Sequence, residues 1–323
     1  MENIPVLDFS LKSSNPQRFD EDLGTAAKGW GFFFLKNHPL SKEDVAKNFT
    51  LAKEFFHGSP PGPEHTINED NVGYSGRWCE GADGKDDHIS FNFGGKYQAP
   101  MNLPPVFAPH YDFIQDFKMK VHSLGNELLR SFATILGLEA EYFSKSHNQV
   151  TDAGLTLRYM YYPANYSPEN GQTRLRAHSD FGSLTVLFQD DVGGLEILSP
   201  SGKWITAPVI ADTPLINIGD FLEIWSGGMF KSTVHRLSFR NGSAERFSMP
   251  CFMSANVDTI LKPVREGTLN LSCPLNDMTA GEYYRRRLDF LHRGGDASTT
   301  PFITREDQPS VDVGFVPDEA TDV

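Results

Sequence analysis

The sequence predicts an α+β protein with a mainly β core: helices in front, one barrel or sandwich, and a closing helix. Three observations carry this. From about residue 154 to 255, short β-rich runs alternate with turns such as Gly193-Gly194, Ser201-Gly202 and Gly227-Gly228. Before and after that stretch, apolar residues recur at helical spacing. No β-α-β alternation, GxGxxG or phosphate-binding glycine loop interrupts the pattern.

In chain order, Ile4-Pro5-Val6-Leu7-Asp8-Phe9 reads as a strand, residues 18–29 as a helix, and Trp30 to Leu35 as a buried strand. Ser41 caps the next helix with Asp44 three residues on; that helix carries Val45, Phe49, Leu51, Phe55 and Phe56 and stops at Gly58-Ser59-Pro60-Pro61. Residues 58–104 are rich in Gly, Pro, Asp and Asn and read as a long irregular, variable segment. Phe113, Phe117, Val121, Leu124, Leu128 and Ile135 then mark an amphipathic spine helix of about thirty residues, with Met119 in its core face. The β-rich runs follow. Thr279 and Glu282 form a capping box that opens a last helix, whose Arg285-Arg286-Arg287 reads as a solvated face. The resulting division is 1–105 as an N-terminal region, 106–295 as spine helix, β core and closing helix, and 296–323 as a tail, all one compact unit.

Composition narrows the function. The chain has 323 residues, ample for a core without staples, and 39% hydrophobic content excludes general disorder. A net charge of −13 opposes a nucleic-acid partner, whose phosphates it would repel. Three cysteines (Cys79, Cys251, Cys273) fit neither a disulfide framework nor a zinc motif, which points to a reducing compartment. Met1 to Pro5 lacks a secretory n-region, and no run approaches the ~18 apolar residues of a membrane span. A cytoplasmic location follows, with no membrane and no nucleic acid as partner; oligomeric state is left open.

The chemistry lies in Arg176-Ala177-His178-Ser179-Asp180-Phe181-Gly182. His178 and Asp180 are two residues apart, so on extended chain both side chains leave one face. An imidazole nitrogen and a carboxylate oxygen converging on one point suit a borderline divalent metal such as iron(II). By itself His-x-Asp is weak evidence. His235, on a later strand, supplies a third ligand, and two histidines plus one carboxylate leave coordination positions open for O2 and substrate. Arg246 and Ser248 are again two apart on one strand face, and that strand is expected to pair with the His235 strand as a hairpin. Arginine grips a carboxylate through parallel hydrogen bonds and serine adds another. A metal face beside such a clamp is what chelation of a 2-oxo acid requires.

These motifs resemble those of the iron(II)- and 2-oxoglutarate-dependent oxygenases, in the isopenicillin N synthase-like branch. Further matches are Ile4 to Phe9, Trp30-Gly31-Phe32-Phe33 with Asn37-His38, Leu157 to Pro163, Gly193-Gly194-Leu195, Lys203-Trp204-Ile205 and Ile218 to Glu223. The resemblance spans roughly residues 1–295. It implies a double-stranded β-helix (jelly roll) with iron(II), 2-oxoglutarate and O2, and ascorbate as a reductant. It further implies that Tyr162 contacts 2-oxoglutarate, while Met160 stands where the family motif has asparagine. The implied reaction converts 2-oxoglutarate to succinate and CO2 and removes a hydrogen atom from a small organic substrate. Hydroxylation, desaturation or radical ring rearrangement follows, in specialised metabolism. Asp180 argues against chlorination, since family halogenases lack the carboxylate. A same-fold iron oxidase that does not use 2-oxoglutarate, and a non-catalytic jelly-roll binding protein, are the competing readings.

Candidate substrate contacts are Arg158 on the strand before the metal motif, Tyr74 and Phe91 in the variable segment, and Phe181 after Asp180. Cys251 reads as core rather than nucleophile.

Overall fold

The computed structural model describes residues 2–68, 70–76, 86–94, 102–147, 154–164, 174–237, 244–264, 270–271, 277–292 and 303–304. Cys79, Cys273, the Asn241-Gly242 turn and nearly all of the 296–323 tail lie outside the described residues. The elements in order are β1 (Val6–Asp8), α1 (Leu11–Ser14), α2 (Pro16–Gly29), β2 (Phe32–Lys36), α3 (Lys42–His57), β3 (Gly73–Ser75), β4 (Ile89–Phe93), α4 (Tyr111–Ile135) and α5 (Glu141–Ser144). Then come β5 (Leu155–Tyr162), β6 (Leu175–His178), β7 (Leu184–Gln189), β8 (Leu195–Leu198), β9 (Trp204–Thr206), β10 (Leu215–Ile218), α6 (Asp220–Trp225), β11 (His235–Leu237), β12 (Arg246–Met253), β13 (Asn270–Leu271), α7 (Ala280–His292) and β14 (Ile303–Thr304).

Two sheets form the jelly roll. The larger has the order β1-β2-β10-β7-β12-β5-β4-β3, the smaller β6-β11-β8-β9. Side chains alternate across each strand of the large sheet. On β2, Phe33 and Leu35 join the core beneath the helices, while Phe32 and Phe34 face the interior between the sheets. On β5, Leu157 and Tyr159 face the helices and Met160 and Tyr162 face inward, against Leu195, Ile197 and Leu237 of the small sheet. On β12, Phe247, Met249, Cys251 and Met253 belong to the helix-side core. Arg246 and Ser248, in the alternate positions, therefore face the interior.

The helix starts follow local chemistry. Asn15 caps α2 by accepting from the Arg18 amide, with Pro16 in the first turn. The Ser41 hydroxyl accepts from the Asp44 amide and opens α3. The spine helix α4 is 25 residues long, shorter than the apolar period suggests. It ends just before Gly137, whose φ of 74° is the left-handed turn that closes helices. Met119 is 53% exposed, so its assignment to the core is corrected: it sits on the face of α4 turned from Phe117, Val121 and Leu124.

Two further expectations change. Residues 58–104 are not irregular throughout, because β3 and β4 extend the large sheet. The polar–apolar alternation Ser90-Phe91-Asn92-Phe93 is the strand signal, masked in sequence by the surrounding Gly and Asp. And β11 does not pair with β12. β11 lies between β6 and β8, and β12 lies between β5 and β7 in the other sheet. From β5 onward most connections cross from one sheet to the other, and β11 and β12 fall in different sheets for that reason.

Candidate metal and cosubstrate site

His178 ends β6, His235 begins β11, and the two are directly opposed cross-strand partners. Their ring centroids are 4.2 Å apart. Asp180 sits just past the end of β6, where the chain turns toward β7. Its Oδ1 lies 3.7 Å from His178 Nε2 and 3.9 Å from His235 Nε2. One ligating atom from each residue can be chosen so that all lie within 4.8 Å of one another.

The surroundings orient each atom. His178 Nδ1 lies 2.9 Å from the Arg176 carbonyl and His235 Nδ1 lies 3.1 Å from the Thr233 carbonyl. A ring nitrogen facing a carbonyl carries the proton, so both Nε2 lone pairs point to the centre. Burial, aided by the neighbouring His235, pushes His178 down to about 3 and keeps it neutral. Burial opposes ionisation of Asp180, but the nearby His235 and His178 and the hydrogen bonds from Thr185 and Asn217 prevail, and its pKa is lowered. Asp180 Oδ2 accepts from the Thr185 hydroxyl at 2.5 Å and from Asn217 Nδ2 at 2.7 Å, which leaves Oδ1 for the centre. Two imidazoles and one carboxylate, each held by a partner behind it, fit a borderline divalent ion.

The turn bearing these ligands is tightly tied. The Asp220 amide donates to the Asp180 carbonyl at 2.8 Å, and the Gly219 amide to the Ser183 carbonyl at 3.0 Å. A Cβ on Gly219 would collide with the Gly182 carbonyl, so this approach requires glycine.

In the large sheet, Arg246 is 2% exposed and its Nη1 donates to Ser248 Oγ at 3.0 Å. The guanidinium stands 5.0 Å from the Tyr162 ring, its cross-strand partner on β5. Tyr162 Oη lies 3.5 Å from Met160 Sδ, a weak acceptor. Arg246, Ser248 and Tyr162 therefore share one patch of the interior wall.

The substrate candidates separate. Arg158 is on the inward row of β5 with Met160 and Tyr162, and its Nη2 donates to Ser90 Oγ at 3.1 Å. Phe181 follows Asp180 and meets Tyr284 of α7 edge-on at 5.8 Å. Phe91 is 1% exposed and packs on Phe55, Phe93 and Phe107 beneath the helices, on the sheet face away from Arg158. Tyr74, its cross-strand partner, meets Phe55 on that same face. Strand alternation thus places both expected substrate contacts on the helix-facing side of the sheet, away from the inward row that carries Arg158. Arg287 corrects the solvated-face reading as well, since it is fully buried against Asp220 and Ser179. Thr185, Asn217, Asp220 and Arg287 carried no spacing signal of their own.

The comparisons with known proteins agree with this geometry. Residues 151–255 match the family model of the 2OG-Fe(II) oxygenase superfamily. Residues 4–98 match that of the N-terminal region of non-haem dioxygenases in morphine synthesis. The UPF0676 protein C1494.01 of Schizosaccharomyces pombe is 31% identical over 302 residues, 90% of this chain and 92% of that protein. The chain belongs to the iron(II)- and 2-oxoglutarate-dependent oxygenases. Feruloyl CoA ortho-hydroxylase 2 of Arabidopsis thaliana is 28% identical over 305 residues, covering 91% of this chain and 81% of that enzyme. A full-length Neurospora crassa protein crystallised with alpha-KG and thymine superposes with a TM-score of 0.73 at 26% identity, covering 88% of this oxygenase and 96% of that chain. The protein is an iron(II)- and 2-oxoglutarate-dependent dioxygenase that uses O2 to oxidise a small organic molecule. Among its described residues, no helix is long and apolar enough to cross a membrane.

Proposed function

We propose that His178, Asp180 and His235 hold the iron, and that Arg246 and Ser248 grip the far carboxylate of 2-oxoglutarate. The observation that supports this most is the pairing of two oriented Nε2 atoms with the remaining oxygen of Asp180. When bound, iron(II) with 2-oxoglutarate and O2 supplies the oxidant, and 2-oxoglutarate leaves as succinate and CO2. The protein's own part is orientation. Thr185 and Asn217 stop Asp180 from rotating. The Tyr162 ring beside Arg246 steadies the guanidinium, and the Tyr162 hydroxyl, which donates to Met160 Sδ, is the group that would turn to the cosubstrate. Met160 fills the adjacent inward position with a flexible thioether. The surrounding apolar wall of Phe32, Phe34, Leu195 and Ile197 keeps water from the reacting centre.

Phe181 and Arg158 are the candidates to meet the substrate, a small molecule undergoing hydroxylation, desaturation or ring rearrangement. Residues 1–105 and 106–295 act as one catalytic unit, since β1 to β4 complete both edges of the sheet that bears Arg246. The scarcity of cysteine supports a cytoplasmic setting.

The test is anaerobic. Iron(II)-loaded protein given 2-oxoglutarate should develop a weak visible charge-transfer band. The band should vanish in His235→Ala and need higher 2-oxoglutarate in Arg246→Ala. A full band in either variant would remove that residue from its assigned role.

A further inference from the structure

We propose that Arg287, on the last helix, is a positioning residue of the iron centre, acting through its buried pair with Asp220. The inference rests on the assignment of iron to His178, Asp180 and His235. Arg287 and Asp220 are both fully buried, with Nε 3.6 Å from Oδ2. Two charges so deep in the protein must be held by partners on every side. Those partners lead to the metal ligands.

Arg287 Nη2 faces the backbone carbonyl and the hydroxyl of Ser179, at 3.5 and 3.3 Å. Ser179 is the residue between His178 and Asp180. The guanidinium also lies 4.5 Å from the ring of Phe181, the next residue after Asp180. One side chain of α7 therefore touches both neighbours of Asp180. Asp220 holds the same turn from the other side, its amide donating to the Asp180 carbonyl. Its carboxylate reaches the third ligand's segment: Oδ1 accepts from the Ser232 hydroxyl at 2.8 Å, three residues before His235. Oδ2 accepts from the Tyr283 hydroxyl at 2.8 Å, one helical turn before Arg287.

The Asp220–Arg287 pair is thus a second tie, beside the β6–β11 pairing, between the two chain segments carrying the ligands. It helps to set where the 178–182 turn lies relative to the strand that begins at His235. A guanidinium suits this task, because its planar fork can donate in two directions while its face lies on a ring. A lysine has one point of charge and no flat face. The closing helix is then part of the active site, although none of its residues is a ligand.

The experiment measures iron(II) affinity of the full chain by anaerobic equilibrium dialysis, with the visible spectrum of the cobalt(II)-loaded protein as a second readout. Partners behind metal ligands typically contribute ten- to a hundredfold in affinity. Arg287→Met, folded by circular dichroism, is expected to weaken iron binding about tenfold or more and to alter the cobalt bands. Arg287→Lys should lose about threefold or more, and the exposed-face control Arg285→Met less than about twofold. Asp220→Asn combined with Arg287→Met should lose no more than the worse single variant, as members of one unit do. A folded Arg287→Met protein with unchanged iron affinity and an unchanged cobalt spectrum overturns the proposal, even if it melts lower. Should that variant not fold, Arg287→Lys decides by the same two readouts. Wild-type iron affinity in His235→Ala would show instead that the ligand assignment has failed, and the proposal would fall with it.

Discussion

Asp180 offers one oxygen to the centre because Thr185 and Asn217 occupy the other. Removing either donor frees the carboxylate to rotate. Thr185→Val and Asn217→Ala should each weaken iron(II) binding by about tenfold, measured by equilibrium dialysis; unchanged affinity would mean that the backbone alone orients Asp180. Another buried histidine links pH to stability. His147 lies between the Phe143 carbonyl and the Ser183 hydroxyl, and burial lowers its pKa from 6.5 to about 4. Its folded pKa is depressed, so the unfolded chain takes up this proton first as pH falls. Stability is therefore fully present above about pH 6.5 and is lost on acidification toward the folded value. Between about pH 7.5 and 5, this group alone should cost about 2 kcal/mol. Urea denaturation at the two pH values, compared with His147→Gln, checks it: an equal pH dependence in both proteins would rule His147 out. At this scale the sequence was informative where side chains repeat by two. His178 with Asp180, and Arg246 with Ser248, are legible because an extended chain puts such pairs on one face. Thr185, Asn217 and Arg287 were not, since a supporting donor can come from any element that happens to pack nearby.

Among the elements, two helix starts were legible and the strand partners were not. Ser41 and the Thr279–Glu282 box act within a single turn of chain, so the residues that make the cap are neighbours in sequence; the Asn15 cap, three residues before the expected start at 18, went unread. The pairing of β12 with β5 and β7, rather than with β11, depends on residues far apart in the chain. The close approach of β10's end to the metal turn is similar. Gly219 follows Ile218 and touches the turn at Gly182, a contact that Gly219 alone does not announce. Gly219→Ala should push the turn and α6 apart, lowering both the urea midpoint and iron affinity. Loss of stability with intact iron affinity would show that the turn relaxes without disturbing its ligands. The reading of residues 58–104 failed for a related reason. A five-residue strand such as β4 gives little periodic signal amid Gly and Asp, and it is stabilised by β5, which lies beyond α4.

For the whole molecule, the proposed ligands come from two segments far apart in the chain that pair as β6 and β11, so a metal bound there would also tie the fold. An ion that binds only the folded state stabilises it by mass action, about 2.7 kcal/mol at a hundred times its dissociation constant. Anaerobic iron(II) at that excess should raise the thermal midpoint by several degrees, and a chelator should reverse the gain. Asp180→Ala should show no such rise; an equal rise would place the stabilising ion elsewhere. The β-rich core, the flanking helices and the metal-ligand candidates could all be read from the order of residues. Each rests on short-range periodicity, which local backbone geometry converts directly into a face. Which faces meet is a different matter. That β11 and β12 lie in different sheets, that Phe91 turns to the helices, and that Arg287 closes over Ser179 depended on packing between distant segments. Burial of a charge or a ring is settled by the neighbours available in three dimensions, and those neighbours carry no fixed spacing along the chain.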